Sequence, residues 1–588
     1  MQPEAHLRWP AGLAYAGIPV LLVIALGAKR IGPVLSGELI NPDSYMRLVR
    51  LHEAAQTSTY AHVVTRDASG SGTLVHWSHL LDSILCLLAL PLSILVDSDV
   101  ALRVAAIIFG PLCLAGLGLA AAWAAAPFAH RSWLWLAPVV ATFGHAILAY
   151  GLPGVVHHHV PTVIIAVMTG GWAARLVIGT TDRWAGSRLG GWAALGLWLT
   201  PETLPLSVMA FGALWVSWIT TAERRDLAVA IRDAGIAFLV IAGLAYLVDP
   251  PYGGYAAEDL DRLSAVFIGL AIGLAATGLI VAAVDEMTAA PAWRLGLSLS
   301  SGVMIAVLWI LLFPSVLQGT HHIMSEADWR AMFSDIGEMQ PVKSVAQWLQ
   351  YLLTGTLGAV ALAVLAARKR NPTLGFVTLC AIVLIALGWK HIRFASYPEA
   401  LGAVMLPIIV TLWNNATADW SPSRQSLPRV AMILTFVLIP FASEMPQPFR
   451  TAKADPAAAY PSCSVSGLGP MLAPMKDKVV LANVNNSPEL LYRTGVLTVG
   501  SLYHRNPAAF MRLRSAWRTQ AADAVPKAFT VANISYVLFC PAEHRSPLVK
   551  DLPKMTLWDR LEENQPPSWL RKVAQDPLSG NTLYRVGS

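Results

Sequence analysis

A chain of 588 residues that is 55% hydrophobic and 13% charged, with a mean hydropathy of +0.53, is too apolar for a soluble protein, since soluble chains carry roughly 25% charged residues. Its net charge of +6 is scattered among loops and forms no basic stripe, which excludes a nucleic-acid-binding protein. The apolar residues come in long runs rather than alternating faces, as a bilayer requires of spanning helices, and the 21 Trp suit its interfacial belts.

In chain order, Gly12–Ala28 comes first and runs directly into Lys29-Arg30 without a small-residue cleavage site, so it reads as a retained helix. A long polar loop follows to about Leu80. Leu81–Val96, interrupted by Pro91, reads as a helix along the surface. Crossing runs then follow at Ala101–Ala126, Trp133–Tyr150, Val160–Gly179, Leu189–Leu199, Leu204–Trp218, Ala234–Val248 and Ser264–Val284. Leu295–Phe313, Val345–Ala367, Leu374–Trp389, Ala395–Trp413 and Val430–Pro440 complete the set. With the N-terminus inside, about thirteen crossings place His130-Arg131, Arg183 with Arg188, Arg224-Arg225, Arg294, Arg368-Lys369-Arg370 and Arg424 with Arg429 on inner loops. That satisfies the positive-inside bias, with Lys29-Arg30 as its exception. The expectation is a multi-pass protein of a bacterial inner membrane with a cytoplasmic N-terminus.

The composition changes after Pro440. Residues 1–443 read as the transmembrane domain, 444–475 as a linker (Glu444–Pro461 most clearly) and 476–588 as a small extracytoplasmic α/β domain. Val479–Leu481, Val496–Val499, Tyr536–Phe539 and Thr582–Val586 read as strands, and Pro488–Tyr492 and Ala508–Thr519 as helices. Cys86, Cys113 and Cys380 lie in apolar runs and read as packing. Cys463 and Cys540 lie in the polar tail as a candidate pair, whose proximity a sequence does not give.

Five polar groups fall on the outer face by parity. Asp43 follows the first helix, where an Asp often caps a helix. His157-His158-His159 stands at the outer end of the third crossing. Adjacent side chains on a helix splay apart and cannot all chelate one ion, so an interfacial turn competes there with a metal site. Glu202 stands in Thr200-Pro201-Glu202, and Glu338 in a loop that also holds His321-His322. Lys390 and Arg393 are cations against the charge bias, facing a lipid headgroup or a phosphorylated substrate. Such a set suits an anionic substrate lying partly in the bilayer.

Asn41-Pro42-Asp43-Ser44-Tyr45-Met46-Arg47-Leu48 resembles the first-loop motif of the oligosaccharyltransferase catalytic subunit and its relatives, glycosyltransferases of the GT-C fold. Gly154-Val155-Val156-His157-His158-His159 stands where that family has an acidic stretch, Asp335-Ile336-Gly337-Glu338-Met339-Gln340-Pro341 is similar to its fifth-loop motif, and Arg393-Phe394 to its phosphate-contacting pair. The resemblance implies an α-helical GT-C-like membrane body and inverting transfer of a sugar from a polyprenyl-phosphate or -diphosphate carrier. It implies Asp43 and Glu338 as catalytic or metal-associated carboxylates and Arg393 as a phosphate contact. From the residues themselves, Arg47, Glu202, Lys390, Tyr503, His504 and Arg505 join Arg393 as candidate substrate-binding groups, with a loop-capping cluster the equal alternative for Tyr503-His504-Arg505. His157 and His159, with Asp43 and Glu338, are candidate ligands of a divalent metal, or else serve as base or as donors to phosphate. Histidines replace the family's acidic second-loop residues, so Mg²⁺ or Mn²⁺, which prefer oxygen, are a poor match. No Trp-Trp-Asp occurs, and Val480–Ser487 lies where the family carries that sequon-reading motif. The expected acceptor is therefore an envelope glycan or lipid, and the expected partners are the lipid-linked sugar, that acceptor and membrane lipids. A transporter or flippase of an anionic lipid or glycan, and a non-catalytic scaffold of a polysaccharide-export complex, are the alternatives. Transport favours ionisable groups at mid-membrane, whereas these cluster at helix ends.

Overall fold

The computed structural model describes residues 9–57, 62–221, 225–288, 290–319, 324–334, 336–442, 463–520, 524–541 and 548–587. Arg224, His321, His322, Asp335 and the linker expected at Glu444–Pro461 lie outside the described residues.

The membrane body is built from α1 (Trp9–Leu35), α2 (Pro42–Thr57), α3 (Leu80–Ala89), α4 (Ser98–Ala125), α5 (Leu136–Phe143), α6 (His145–Gly151), α7 (His159–Val177), α8 (Ala185–Leu199) and α9 (Leu204–Thr220). It continues with α10 (Arg225–Val248), α11 (Ala265–Met287), α12 (Pro291–Leu312), α13 (Glu326–Phe333), α14 (Val345–Tyr351), α15 (Leu353–Lys369), α16 (Pro372–Lys390), α17 (Ser396–Ala416) and α18 (Pro422–Ala442). Among the described residues nine helices are long and apolar enough to cross a membrane, or eleven if each of two bent pairs is one span. This is a multi-pass membrane protein. The 10-residue α3 is about 15 Å long, half of what a bilayer core demands.

Two runs that read as single spans are broken. The α5–α6 pair bends by 72° and the α14–α15 pair by 69°. At the first break the buried Glu399 of α17 accepts hydrogen bonds from the backbone N–H groups of Ala146 (2.9 Å) and Ile147 (3.0 Å), which open α6. A carboxylate at a helix N-terminus satisfies donors that would otherwise be orphaned in an apolar medium. Elsewhere small residues let helices close on each other. Gly186 and Gly190 of α8 meet Ala230 and Ala234 of α10, and a Cβ on Gly190 would sit 2.0 Å from the Ala234 carbonyl oxygen. This is the small-xxx-small packing typical of bilayers.

The C-terminal region holds a five-stranded sheet. Its strands are β3 (Val479–Leu481), β4 (Leu497–Thr498), β5 (Ile534–Phe539), β6 (Leu570–Gln575) and β7 (Thr582–Val586), in the order β4-β3-β5-β7-β6. Strands β4, β3 and β5 run parallel, while β7 and β6 add antiparallel. The pair β1 (Val63–Val64) and β2 (Thr73–Leu74) forms a small ribbon in the first loop. Cys463 and Cys540 are joined as a disulfide. Residues 463–475, inside the expected linker, contribute Val465, Leu468 and Leu472 to the buried core of this domain. The fifth-loop helix α13 also packs into it, through Trp329 and Met332.

Candidate active site

Where α1 ends, the chain turns into α2. The cap of α2 is Asn41, whose Oδ1 accepts from Ser44 N at 2.8 Å, and not Asp43 as a capping reading would have it. Pro42 occupies the first helical position, as it prefers, and Asp43 in the first turn is left free for the cavity. Ser44 Oγ in turn accepts from Val156 N at 2.9 Å. This bond docks α2 on the segment that leads to the histidines. That segment turns at Gly154, with φ of +87°, where a Cβ would strike Val34 at 2.4 Å.

The three histidines are not on one helical face. His157 precedes α7 in irregular backbone, His158 stands at the N-cap position without a side-chain capping bond, and His159 begins the helix. Their rings therefore stack instead of splaying, with His157 and His159 centroids 4.4 Å apart at 24°. One ring nitrogen of each lies within 4.8 Å of the others. The expectation that three adjacent histidines cannot converge fails because it assumed helix.

Each carboxylate meets one of these rings. His157 Nε2 and Asp43 Oδ2 are 2.8 Å apart, and Tyr503 OH donates to Asp43 Oδ1 at 2.9 Å. His159 Nε2 is 3.4 Å from Glu338 Oε2, which also accepts from the Tyr150 hydroxyl. Arg393 donates to Glu202 Oε1 at 2.5 Å, with a second nitrogen 3.8 Å from Glu338 Oε1. The result is a continuous polar chain running Tyr503, Asp43, His157, His159, Glu338, Arg393, Glu202.

Burial pushes the Asp43 carboxyl up, but the hydrogen bond and charge of His157 outweigh it and hold the group below its ordinary range. Glu338 is likewise buried, and His159 and Arg393 hold it well below the usual carboxylate value. Burial and the charge of Asp43 keep the Tyr503 phenol far above its ordinary value, so it stays a donor. Burial, reinforced by the neighbouring imidazoles, holds His158 well below the ordinary histidine value, and it is neutral at pH 7.

Asp43, His157, Glu202, Glu338, Arg393 and Tyr503 all line one cavity of about 870 Å³. Arg47 lines it too, but its guanidinium is committed: it donates to Asp82 Oδ1 at 2.5 Å and lies 4.4 Å over the Trp77 ring. Lys390 is exposed at the end of α16, outside the cavity lining. His504 lines the cavity, whereas Arg505 pairs with Asp259 and Asp261 behind it. Tyr150, Asp82, His76 and Asp261 were not singled out from sequence. A lone Asp inside the apolar run Leu81–Val96 was the one available signal for Asp82.

The histidine and acid groups here could bind a metal: one ring nitrogen from each of His157, His158 and His159 converges, and His157 Nδ1 is buried without a hydrogen-bond partner among the described residues.

No protein family matches the chain by sequence pattern, and no curated protein matches it by sequence. Solved structures do match. An archaeal oligosaccharyltransferase, AglB from Archaeoglobus fulgidus, in complex with an inhibitory peptide and a dolichol-phosphate, superposes with a TM-score of 0.68 at 12% identity, covering 90% of this chain and 69% of that one. The oligosaccharyltransferase from the same organism, complexed with Zn and sulfate, gives 0.64 at 12% identity over 97% and 73% of the two chains. A form of it tethered to an acceptor peptide gives 0.62 at 12% over 98% and 74%. A membrane body of this size, with a soluble domain closing over a polar cavity, therefore has the oligosaccharyltransferase-like GT-C fold.

Proposed function

We propose that this protein is an inverting glycosyltransferase that moves a sugar from a polyprenyl-phosphate or -diphosphate carrier to a glycan or lipid of the cell envelope. The observation that carries the reading is the pair Asp43 and Glu338, 295 positions apart in sequence, each held ionised against a histidine and facing one cavity with Arg393. An acceptor hydroxyl attacks the anomeric carbon as its bond to the phosphate oxygen breaks, and a single displacement of this kind inverts the centre. Asp43 accepts the hydroxyl proton, with His157 and Tyr503 fixing its orientation. Arg393 exchanges Glu202 for the phosphate and stabilises the leaving charge. His157, His159, Asp43 and Glu338 are the residues that would hold a divalent ion, which would supply positive charge beside the leaving group.

Two further features support the reading. An apolar groove of about 370 Å³, lined by Tyr397, Leu384 and Leu401 among others, begins one helical turn beyond Arg393 and suits a polyprenyl chain. Val484 and Asn485, at the place of the absent Trp-Trp-Asp, border the cavity, which supports an acceptor other than an asparagine side chain. Nine apolar helices and two bent pairs, with α8 and α18 counted as further spans, support the thirteen crossings read from the charge pattern. The basic loops then point to an extracytoplasmic soluble domain, where a disulfide persists.

Purified protein mixed with polyprenyl-phosphate and -diphosphate sugars and envelope fractions tests this. Asp43→Asn and Glu338→Gln are each expected to lose about 10²-fold or more in turnover. Equal turnover by wild type and both variants removes these roles. Binding or transbilayer movement of the lipid without sugar release favours the transporter.

A further inference from the structure

The cavity carries a second group of chelating side chains. His76, Asp261 and His504 all line it, and one ligand atom from each lies within 4.8 Å of the other two. They come from three separate places: the segment after β2, the loop between α10 and α11, and the loop after β4 in the soluble domain.

Three observations set them apart from an ordinary polar contact. The first is that Nδ1 of His76 is buried and has no hydrogen-bond partner among the described residues, a state that folded proteins avoid unless something completes it. The second is that the rings are already oriented. The centroids of His76 and His504 are 4.5 Å apart, and His504 is stacked on Trp329 at 5.6 Å. The third is charge. Arg505 Nε donates to Asp261 Oδ2 at 2.7 Å, while its Nη1 is met by Asp259 at 2.9 Å. One Arg faces two Asp, which leaves a net negative charge beside two imidazoles. A carboxylate has about four lone-pair positions, so Asp261 can keep Arg505 and still offer one to an ion, with Arg505 fixing its orientation.

We propose that His76, Asp261 and His504 form a zinc-type metal site that fastens the soluble domain to the membrane body and opens onto the cavity. Two imidazoles and one carboxylate are the donor set of an open zinc site, with a fourth position left for water or substrate. Zn–N bonds of about 2.0–2.1 Å place tetrahedral ligand atoms about 3.4 Å apart, which small side-chain rotations reach from the spacing observed. The His504–Asp261 contact, 2.6 Å between Nε2 and Oδ2, is then replaced by shared coordination. The site is distinct from the His157–His159 group and does not depend on the transferase reading.

The test uses full-length protein in detergent, stripped with a chelator and titrated with Co²⁺ as a visible stand-in for Zn²⁺. H76Q and H504Q are each expected to lose one equivalent of Co²⁺ with tetrahedral d–d bands, while a D43N/H157Q double variant keeps it. His76→Cys is expected to retain the metal and gain a thiolate-to-Co²⁺ charge-transfer band, which a merely structural histidine would not give. Zn²⁺ is expected to slow proteolytic release of the soluble domain in wild type and not in H504Q. An unchanged Co²⁺ equivalent in H76Q, or a H76C protein whose spectrum lacks that band, overturns the proposal.

Discussion

At the scale of single residues, the site depends on which polar atoms face each other, and that is where sequence was least informative. Asp43, His157, Glu202, Glu338 and Arg393 could be put on one face by counting crossings, because charge bias and chain parity survive without coordinates. Their pairing could not, since Asp43 with Tyr503 and His159 with Glu338 join positions hundreds of residues or several helices apart. Tyr150 was hidden at the end of an apolar run. The pairing has a pH consequence. The Asp43 pKa is lowered in the folded protein, so its pair with His157 contributes fully above the ordinary carboxylate value of about 3.9 and is lost as pH falls through the lowered one. The Tyr503 hydrogen bond is one cause of that lowering. Tyr503→Phe is therefore expected to move the acid limb of the kcat/KM profile to higher pH while leaving the fold intact, and an unmoved limb would show that Asp43 does not set it.

At the scale of elements, the long apolar runs were legible because hydrophobic length is what a bilayer selects. Breaks inside them were not. Gly144 in the run Trp133–Tyr150 looks like any membrane glycine, and the carboxylate that caps the broken end, Glu399, arrives from α17. Strand β6 was also missed: Leu570–Gln575 is mostly exposed and carries Arg571 and Lys572, as an edge strand should to discourage pairing with other chains. The break matters because α6 carries Tyr150 to Glu338. Glu399→Ala is expected to lower the detergent melting temperature, each unpaired N–H costing about 1–3 kcal/mol, with Glu399→Gln intermediate. A melting temperature equal to wild type would mean that the break is held by packing alone.

At the scale of the whole molecule, the C-terminal sheet domain meets the rest of the chain through polar contacts as well as apolar ones. Arg66 donates to the backbone carbonyls of Thr494 (2.6 Å) and Leu491 (2.5 Å), and the buried Asp67 accepts from Thr498 Oγ1 at 2.7 Å and from the Ser501 hydroxyl. Arg66→Ala with Asp67→Ala is expected to speed proteolytic release of the domain. Turnover should fall with it, because Tyr503 leaves Asp43. Within the domain, the Cys463–Cys540 bridge closes a loop of 77 residues, and reducing it is expected to cost about 2–4 kcal/mol, read as a lower melting temperature in reductant. No change would place the domain's stability in its core instead.

The contact between Tyr503 and Asp43 joins residues 460 positions apart. At about 5–20 residues per second of synthesis, roughly 20 to 90 s separate the appearance of the two side chains. During that interval the early helices are already inserted among lipids, with the carboxylate in place and its phenol partner not yet made. The order of synthesis thus makes the Tyr503–Asp43 contact one of the later ones to form, after the chain through Tyr503 has been made.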